Sequence, residues 1–483
     1  MISRAGILAV FAAVLLAGTS GCALQTPPTQ AELVDQALPE QTQIPAVWVA
    51  DPQTGAVADD WLSTFNDPML DAIVSEALAN NLDLRQAADR VEIARQSVLV
   101  VGAQLLPQIG GNLGAKTTHD FGNEDDVKHT YNHTVVSLGL AWELDVWGRL
   151  RAQRAAAAAG FEATALDFAY ARQSLAATVA VSWYLTTEAY QMLALAERAV
   201  DVYSKLFDLA KIRHTSGKTT ELDVVDARAR LENAQSQLEA ARGTYGQVRR
   251  ALEVLLGRYP AAEIEAAAGY PPLPPPVGAG MPASLLERRP DIVAAERVVL
   301  AAFRQQEAAR LALLPDFSIS LMGERQGDHL VQQLNLSPWM SSAEIGMNIP
   351  IYEGGALRAQ VEIATAQQAQ AVAQYGRVVL NAFREVEDVL ADQQIVGKRL
   401  EYAVRGLADR TRAVEIAMMQ YQAGTRDLLW VEQLQTEQII VEQRVIQLRN
   451  QQITNRIRLH LAVGGSFESI PSVVEVAEVT NEQ

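Results

Sequence analysis

Two stretches of the chain alternate between apolar and polar positions with a period of two. From Val136 to Asp145 the even positions are Val136, Leu138, Leu140, Trp142 and Leu144, and the odd ones are Ser137, Gly139, Ala141, Glu143 and Asp145. In the second stretch Ala343, Ile345, Met347, Ile349 and Ile351 alternate with Ser342, Glu344, Gly346, Asn348 and Pro350. This period predicts strands with one apolar face. Weaker strand candidates precede them near 108–118 and 316–324, the latter with Phe317, Ile319 and Leu321 on one face. Elsewhere the period is helical. Ala227, Leu231, Ala234, Leu238, Ala241, Tyr245, Val248, Leu252 and Leu255 follow at steps of four and three, a coiled-coil seam whose alanines allow close approach. A second seam keeps Leu434, Val441, Val445, Leu448 and Leu459 but carries Gln438, Gln452 and Asn455, which either set register or face water inside a tube.

Proline placement extends this picture. None occurs between Pro107 and Pro260, or between Pro350 and Pro471, so both gaps permit very long helices. Between them lies Gly269-Tyr270-Pro271-Pro272-Leu273-Pro274-Pro275-Pro276, followed by Val277 to Pro282, an extended connector. The halves on either side of it match. Leu150-Arg151-Ala152-Gln153 recurs 207 residues later as Leu357-Arg358-Ala359-Gln360, and Gly217, Leu222 and Gly257 recur at the same offset as Gly424, Leu429 and Gly464. Leu105-Leu106-Pro107 recurs as Leu313-Leu314-Pro315, displaced by 208. The chain is a tandem duplication. In each copy a helix ends at Leu-Leu-Pro, a strand region follows, and a long helix turns at glycine into a shorter returning one. The first long helix is expected over about 150–214, roughly 97 Å at the α-helical rise.

Composition narrows the class. The 483 residues carry 40 basic and 57 acidic side chains, a net charge of −17 that argues against a nucleic-acid partner. Mean hydropathy is +0.01, and no segment after the N-terminus offers about 18 uncharged apolar residues in a row, so no transmembrane helix is expected. Arg4 precedes a small or apolar run from Ala5 to Gly18 that ends in Thr19-Ser20-Gly21-Cys22. That run fits a signal peptide. Cys22, the only cysteine, reads as the lipidated first residue of a bacterial lipoprotein, although Thr19 stands where that pattern usually has leucine. The alternative is an ordinary signal peptide, but a stray thiol in an exported protein is a reactive liability. Apart from this covalent lipid no cofactor is expected.

One-faced strands of about 9–11 residues suit a barrel wall with lipid outside and water inside. Four strands between very long helices leave no partner sheet for a soluble sandwich. A membrane sheet tolerates no open edge, and barrels begin at about eight strands, so two or more chains must share one barrel.

These residues resemble the TolC-like outer-membrane factors, in particular the lipoprotein branch serving resistance-nodulation-division efflux pumps. The resemblance rests on Trp142-Glu143-Leu144-Asp145-Val146-Trp147-Gly148-Arg149-Leu150-Arg151 and on Leu285-Leu286-Glu287-Arg288-Arg289-Pro290-Asp291-Ile292. Trp61 to Leu70 and Asn80-Asn81-Leu82-Asp83-Leu84 add to it. It implies a mainly α fold with a small β portion. Tandem-repeat helical hairpins of three chains would form a periplasmic α-barrel, topped by a 12-stranded transmembrane β-barrel with four strands per chain. The implied division is a signal peptide 1–21, a lipid-anchored extended segment 22–60, a first repeat 61–268, the connector 269–282, a second repeat 283–465 and a tail 466–483. The implied partners are two further copies, outer-membrane lipid, a periplasmic adaptor and an inner-membrane pump.

The resemblance also implies a gate at the hairpin turns around Gly217 and Gly424. Tyr421-Gln422-Ala423-Gly424-Thr425-Arg426 matches the family's tyrosine–glycine–arginine segment, and Tyr421 and Arg426 are expected to reach Asp223 on the other hairpin. Leu429 falls at a hydrophobic constriction, with Leu222 its repeat equivalent. The family commonly has a pore-facing aspartate where this chain has Gln433. Glu432 is adjacent, and Asp226 holds the matching place in the first repeat.

No P-loop, His-Glu-x-x-His or Gly-x-Ser-x-Gly motif is present, so no enzymatic activity is expected. His129 and His133, near Asp125 and Asp126, are expected in a polar surface loop rather than at a metal. A passive efflux duct is the leading reading. A duct for type I polypeptide secretion is the alternative, ahead of a pore-free coiled-coil lipoprotein.

Overall fold

The computed structural model describes residues 24–52, 55–119, 130–327 and 339–468; the signal segment with Cys22 and most of the C-terminal tail lie outside them. In chain order the helices are α1 (Gln30–Ala37), α2 (Pro68–Asn80), α3 (Leu82–Gly102), α4 (Arg149–Thr215), α5 (Glu221–Leu255), the one-turn α6 (Leu285–Arg288), α7 (Pro290–Leu311), α8 (Ala356–Gln422) and α9 (Leu428–Ala462). The strands are β1 (Gln108–His119), β2 (Thr130–Leu144), β3 (Asp316–Gly327) and β4 (Met340–Asn348). The duplication keeps its length where it matters most for the hairpins: α4 and α8 each have 67 residues, and α5 and α9 each have 35.

The chain divides into two compact units, one of residues 1–40, 90–165 and 294–376, the other of 41–89, 166–293 and 377–483. The first contains one antiparallel sheet in the order β1-β2-β3-β4. Its register stacks the apolar positions in rows. Ile109, Leu140, Leu321 and Ala343 stand side by side, as do Trp142, Ile319 and Ile345, and then Leu144, Phe317 and Met347. The intervening rows, Ala141 with Ser320 and Glu344, and Glu143 with Ser318 and Gly346, face the other way. Ile109, Leu321, Ile345 and Met347 are all exposed on the apolar face.

Two expectations change. The alternation expected through Ile351 ends as a strand at Asn348, because Pro350 has no N–H for a ladder. β2 begins at Thr130, so His133 sits in the strand opposite Lys116 instead of in a loop; His129, Asp125 and Asp126 lie outside the described residues.

The Trp142–Arg151 segment is the junction from β2 to α4. Gly148 takes a positive φ of 89°, and Asp145 caps the helix by accepting from the backbone N–H groups of Leu150 (2.9 Å) and Arg151 (3.0 Å). The indoles of Trp142 and Trp147 donate to the carbonyls of Leu105 and Pro315, tying the strands to both Leu-Leu-Pro corners.

The core of the second unit gathers Trp61, Phe65, Leu70, Ile73 and Val74 against Val179, Trp183 and Tyr184 of α4, Leu252 of α5, and Ile453 and Ile457 of α9. Asp67 caps α2, with Pro68 at its first position, and also accepts from the Trp183 indole at 2.8 Å. In the connector, Gly278 and Gly55 approach so closely that a Cβ on Gly278 would lie 2.4 Å from the Gly55 carbonyl carbon. Arg289, 2% exposed, explains the Leu285–Ile292 motif. It donates to both oxygens of Asp291, to Glu385 at 2.8 Å and to the Ala462 carbonyl at 3.2 Å. Burial works against its charge, but the bonds from the acids outweigh it and raise its pKa further.

Candidate functional site

Both hairpin turns close in the same way. After α4 the Lys218 N–H donates to the Arg213 carbonyl and Gly217 takes φ 67°; after α8 the Thr425 N–H donates to the Gln420 carbonyl and Gly424 takes φ 79°. This is the glycine-terminated helix end, in which only a residue without Cβ adopts the left-handed backbone cheaply. Thr220 then starts α5 in a capping box with Asp223, and Asp427 starts α9 by accepting from the Trp430 N–H.

The two hairpins pack on one another through Leu206 and Ala210 of α4, Ala227 and Ala234 of α5, Val414 and Ala417 of α8, and Leu428, Val431 and Leu434 of α9. The first helix seam is visible in the burial. Ala227, Ala234 and Leu252 are buried and the other seam residues of α5 are half-buried, while most flanking positions are exposed. In α9, Asn455 is buried, and Gln438 is half-buried and donates to Thr411 of α8.

The expected gate residues fall around this packing. Leu222 (74% exposed) and Leu429 (52%) project from it, and Gln433 lies exposed with its amide donating to Glu437. Asp223 accepts from the Thr219 hydroxyl and from the N–H and hydroxyl of Thr220, all at Oδ2. Burial would raise its pKa, but these three bonds outweigh it and hold the carboxyl below the ordinary value. Arg426 sits over the Trp430 ring at 5.4 Å. Thus Asp223 and Arg426 do not meet within the chain. Each is engaged four residues away in its own hairpin, and the two contacts are repeat equivalents, Thr219–Asp223 in one and Arg426–Trp430 in the other.

Tyr421 is buried, and its cross-hairpin partner is Arg213, whose guanidinium lies 4.3 Å over the ring and donates to the Tyr421 carbonyl at 2.8 Å. Among the described residues the Tyr421 hydroxyl and Arg213 Nε have no hydrogen-bond partner. Burial pushes the Tyr421 pKa up, Arg213 opposes it, and Asp223 and Glu432 add to it.

A second cross-hairpin contact joins α5 to α9. Arg230 Nε lies 2.9 Å from Asp226 and 3.0 Å from Glu432, its Nη1 reaches Thr436, and Thr436 in turn shares a hydrogen bond with the Tyr203 hydroxyl. Glu432 is 1% exposed and its Oε1 has no donor among the described residues. Burial first, then the Asp226 carboxylate beside it, push Glu432 up to about 8 against the opposing pull of Arg230. Asp226 moves the other way: burial raises it, but bonds from Arg230 and from the Glu432 carboxyl outweigh this. Glu432 therefore points inward and is unavailable to a pore.

Sequence reasoning missed Arg213, Arg230 and the inward turn of Glu432. Leu428, Val431, Glu432 and Gln435 are spaced as one helix face, and all four are buried, so the position of Glu432 was marked by that period. The Arg213–Tyr421 contact joins residues 208 apart and leaves no local signal.

A family model described as outer membrane efflux protein matches residues 73–258 and again 281–465, once in each half. The chain belongs to the outer membrane efflux protein family. Its relatives include the cation efflux system protein CusC of Escherichia coli O6:H1, 29% identical over 411 residues that span 84% of this chain and 88% of that protein. The toluene efflux pump outer membrane protein TtgF of Pseudomonas putida is 30% identical over 426 residues, 87% of this chain and 88% of its own. Among solved structures, the outer-membrane channel OprN superposes with a TM-score of 0.79 at 25% identity, covering 93% of this chain and 99% of that one. This outer membrane efflux protein is therefore a TolC-like channel, mainly helical, with a small four-stranded sheet.

Proposed function

We propose that this outer membrane efflux protein works as a homotrimer, a passive exit duct for small molecules that is gated at its hairpin turns. The observation that carries the reading is the sheet. Among the described residues it has four strands, one apolar face that is exposed, and β1 and β4 each paired on one side only. In lipid such edges need further strands, and two more copies supply a closed wall of twelve. The helices argue alike. α9 bonds to α4 through Glu442–Arg198 and Asn450–Glu188 and to α8 through Glu437–Arg410 and Gln438–Thr411. Its residues Ile446, Asn450, Thr454 and Ile457 are buried, whereas their α5 equivalents Glu239, Gly243, Gln247 and Arg250 are exposed to solvent. A neighbouring copy would cover that flank of α5.

In this reading Cys22 carries a lipid anchor, and a periplasmic adaptor and an inner-membrane resistance-nodulation-division pump supply the energy and the substrate. The relatives named above are efflux proteins, which favours efflux over polypeptide secretion. The closed state is fastened by Arg426 acting on Asp223 of an adjacent copy, while Tyr421, buried against Arg213 of its own chain, supports the packing behind the turn. Asp223 suits this role because its carboxyl is held ionised and all three of its bonds use Oδ2, leaving Oδ1 for a further donor. Leu222 and Leu429 then form the constriction, bordered by Asp226 and Gln433. Single-channel recording of the full-length protein in planar bilayers tests the latch. Asp223→Ala and Arg426→Ala are each expected to raise conductance. Parental conductance in both variants overturns the latch, and no conductance from the parent overturns the channel itself.

A further inference from the structure

The contact of Glu432, Asp226 and Arg230 is unusual in its hydrogen count. Arg230 Nε has a single hydrogen, yet it stands 2.9 Å from one carboxylate and 3.0 Å from the other. Glu432 is buried between helices, and its Oε1 is left without a donor. Two carboxylates that close to one nitrogen lie close to one another; Asp226 keeps 39% side-chain exposure, so the buried Glu432 is the one that cannot stay charged beside it. One proton resolves the conflict: placed on Glu432, it turns that carboxyl into a donor toward Asp226, and Arg230 then faces a single net negative charge.

We infer that Glu432, Asp226 and Arg230 form a proton-operated fastener between α5 and α9, packed while the pair shares one proton and loosened when that proton leaves to bulk water. The inference rests on the channel reading for its functional effect, though the shared proton itself does not. The surrounding groups are few. α5 contributes Asp223 beyond Asp226, α4 contributes Tyr203 and Arg213, α8 contributes Tyr421, and α9 itself contributes the neutral Thr436. Asp226 opposes ionisation of Glu432, Asp223 opposes that of Asp226, and among the described residues Arg230 alone contacts Glu432 as a cation.

The direction of the pH effect follows. Packed, Glu432 holds its proton up to about 8; parted and hydrated, it returns to its ordinary value of 4.5. The packed form is therefore favoured fully below the ordinary value and loses its advantage as pH rises toward the packed one, by at most about tenfold in the opening equilibrium per pH unit. Acid closes, mild alkali opens.

The test records channels of the full-length protein in planar bilayers at pH 5, 6.5 and 8. The parent is expected to show open probability rising across this range, and Glu432→Gln, which keeps a donor toward Asp226, to stay low and flat. A parent that conducts with no pH dependence overturns the inference while sparing the channel reading, and so does a Glu432→Gln variant that keeps the parental slope. Should Glu432→Gln fail to assemble, Asp226→Asn serves instead. It removes the charge that holds the proton and should move the midpoint downward by a pH unit or more; an unmoved midpoint counts against the inference. Independently of conduction, the infrared C=O stretch of a protonated carboxyl at pH 6 should be present in the parent and missing from Glu432→Gln. Its absence from the parent overturns the shared proton.

Discussion

Replacing Arg289 by methionine removes a guanidinium that is 2% exposed and leaves the groups around it in place. Asp291 loses its two bonds from Arg289, at 3.0 and 2.7 Å, and keeps the one from the Ile292 N–H, Glu385 loses one at 2.8 Å, and the Ala462 carbonyl loses the Arg289 donor. Removing one member of a buried ion pair costs about 3–5 kcal/mol, because the remaining charges stay desolvated. Here the carboxylates retain side-chain exposures of 21% and 42%, so water reaches them once the arginine is gone. That places the loss near the lower bound, about 3 kcal/mol. With a urea slope of about 3 kcal/mol/M, the unfolding midpoint should fall by about 1 M. The buried indoles of Trp61 and Trp183 report unfolding of the same unit by fluorescence in detergent. Arg289→Lys keeps a charge but not the fork that serves Asp291 and Glu385 together, so it should lose part of this stability. Adding Asp291→Asn and Glu385→Gln to Arg289→Met should recover part of it. A methionine variant whose midpoint lies within about 0.2 M of the parent, on that same slope, would show that Arg289 is held by packing and not by its ion pairs.

Two smaller perturbations test the junctions. Asp145→Ala deletes a cap to two backbone N–H groups and an ion pair to Arg151, and should lower stability by about 2 kcal/mol, read as the urea midpoint, while Asp145→Asn keeps most of the cap. Gly278→Ala places a Cβ 2.4 Å from the backbone of Gly55 and should cost about 1–3 kcal/mol, read as the urea midpoint; a parental midpoint would refute the close approach.

The large elements were legible because each rests on a local rule repeated many times. A long helix needs only an absence of proline and a sustained apolar stripe, and its end needs a glycine, so about 150–214 became Arg149–Thr215. The strand face was legible because its period is two on all the residues from Val136 to Leu144. What was not legible depended on a single residue or on a distant one. Pro350 shortened β4 although the alternation continues past it, because the apolar pattern does not reveal which N–H groups a ladder requires. His133 looked like a loop residue because its polarity is equally at home on a strand face. In the turns, resemblance supplied the positions of Asp223, Tyr421 and Arg426 but not their contacts, which depend on a hydroxyl or ring four residues away for Asp223 and Arg426 and on Arg213 of the other hairpin for Tyr421.

Those contacts also show where the two copies part ways, and why that matters for a gate. The backbone of the hairpins keeps the same length in both repeats, yet at the turns His214 corresponds to Tyr421, Thr219 to Arg426, Asp223 to Trp430 and Asp226 to Gln433. At these positions the acids Asp223 and Asp226 belong to the first hairpin and the base Arg426 to the second, although each turn also carries the opposite sign, Lys218 in one and Asp427 in the other. In the proposed trimer a boundary between the two hairpins can therefore set Arg426 beside Asp223, an attraction that is strongest where water is scarce. Val225 and Glu432 carry the same logic inward: equivalent by sequence, one is exposed at 53% and the other buried at 1%. At this position the second copy is covered within the chain and the first is not, so the carboxyl of Glu432 is held buried against Arg230 and Asp226. Divergence at a handful of turn positions thus turns a symmetric helical scaffold into one with complementary, individually addressable contacts.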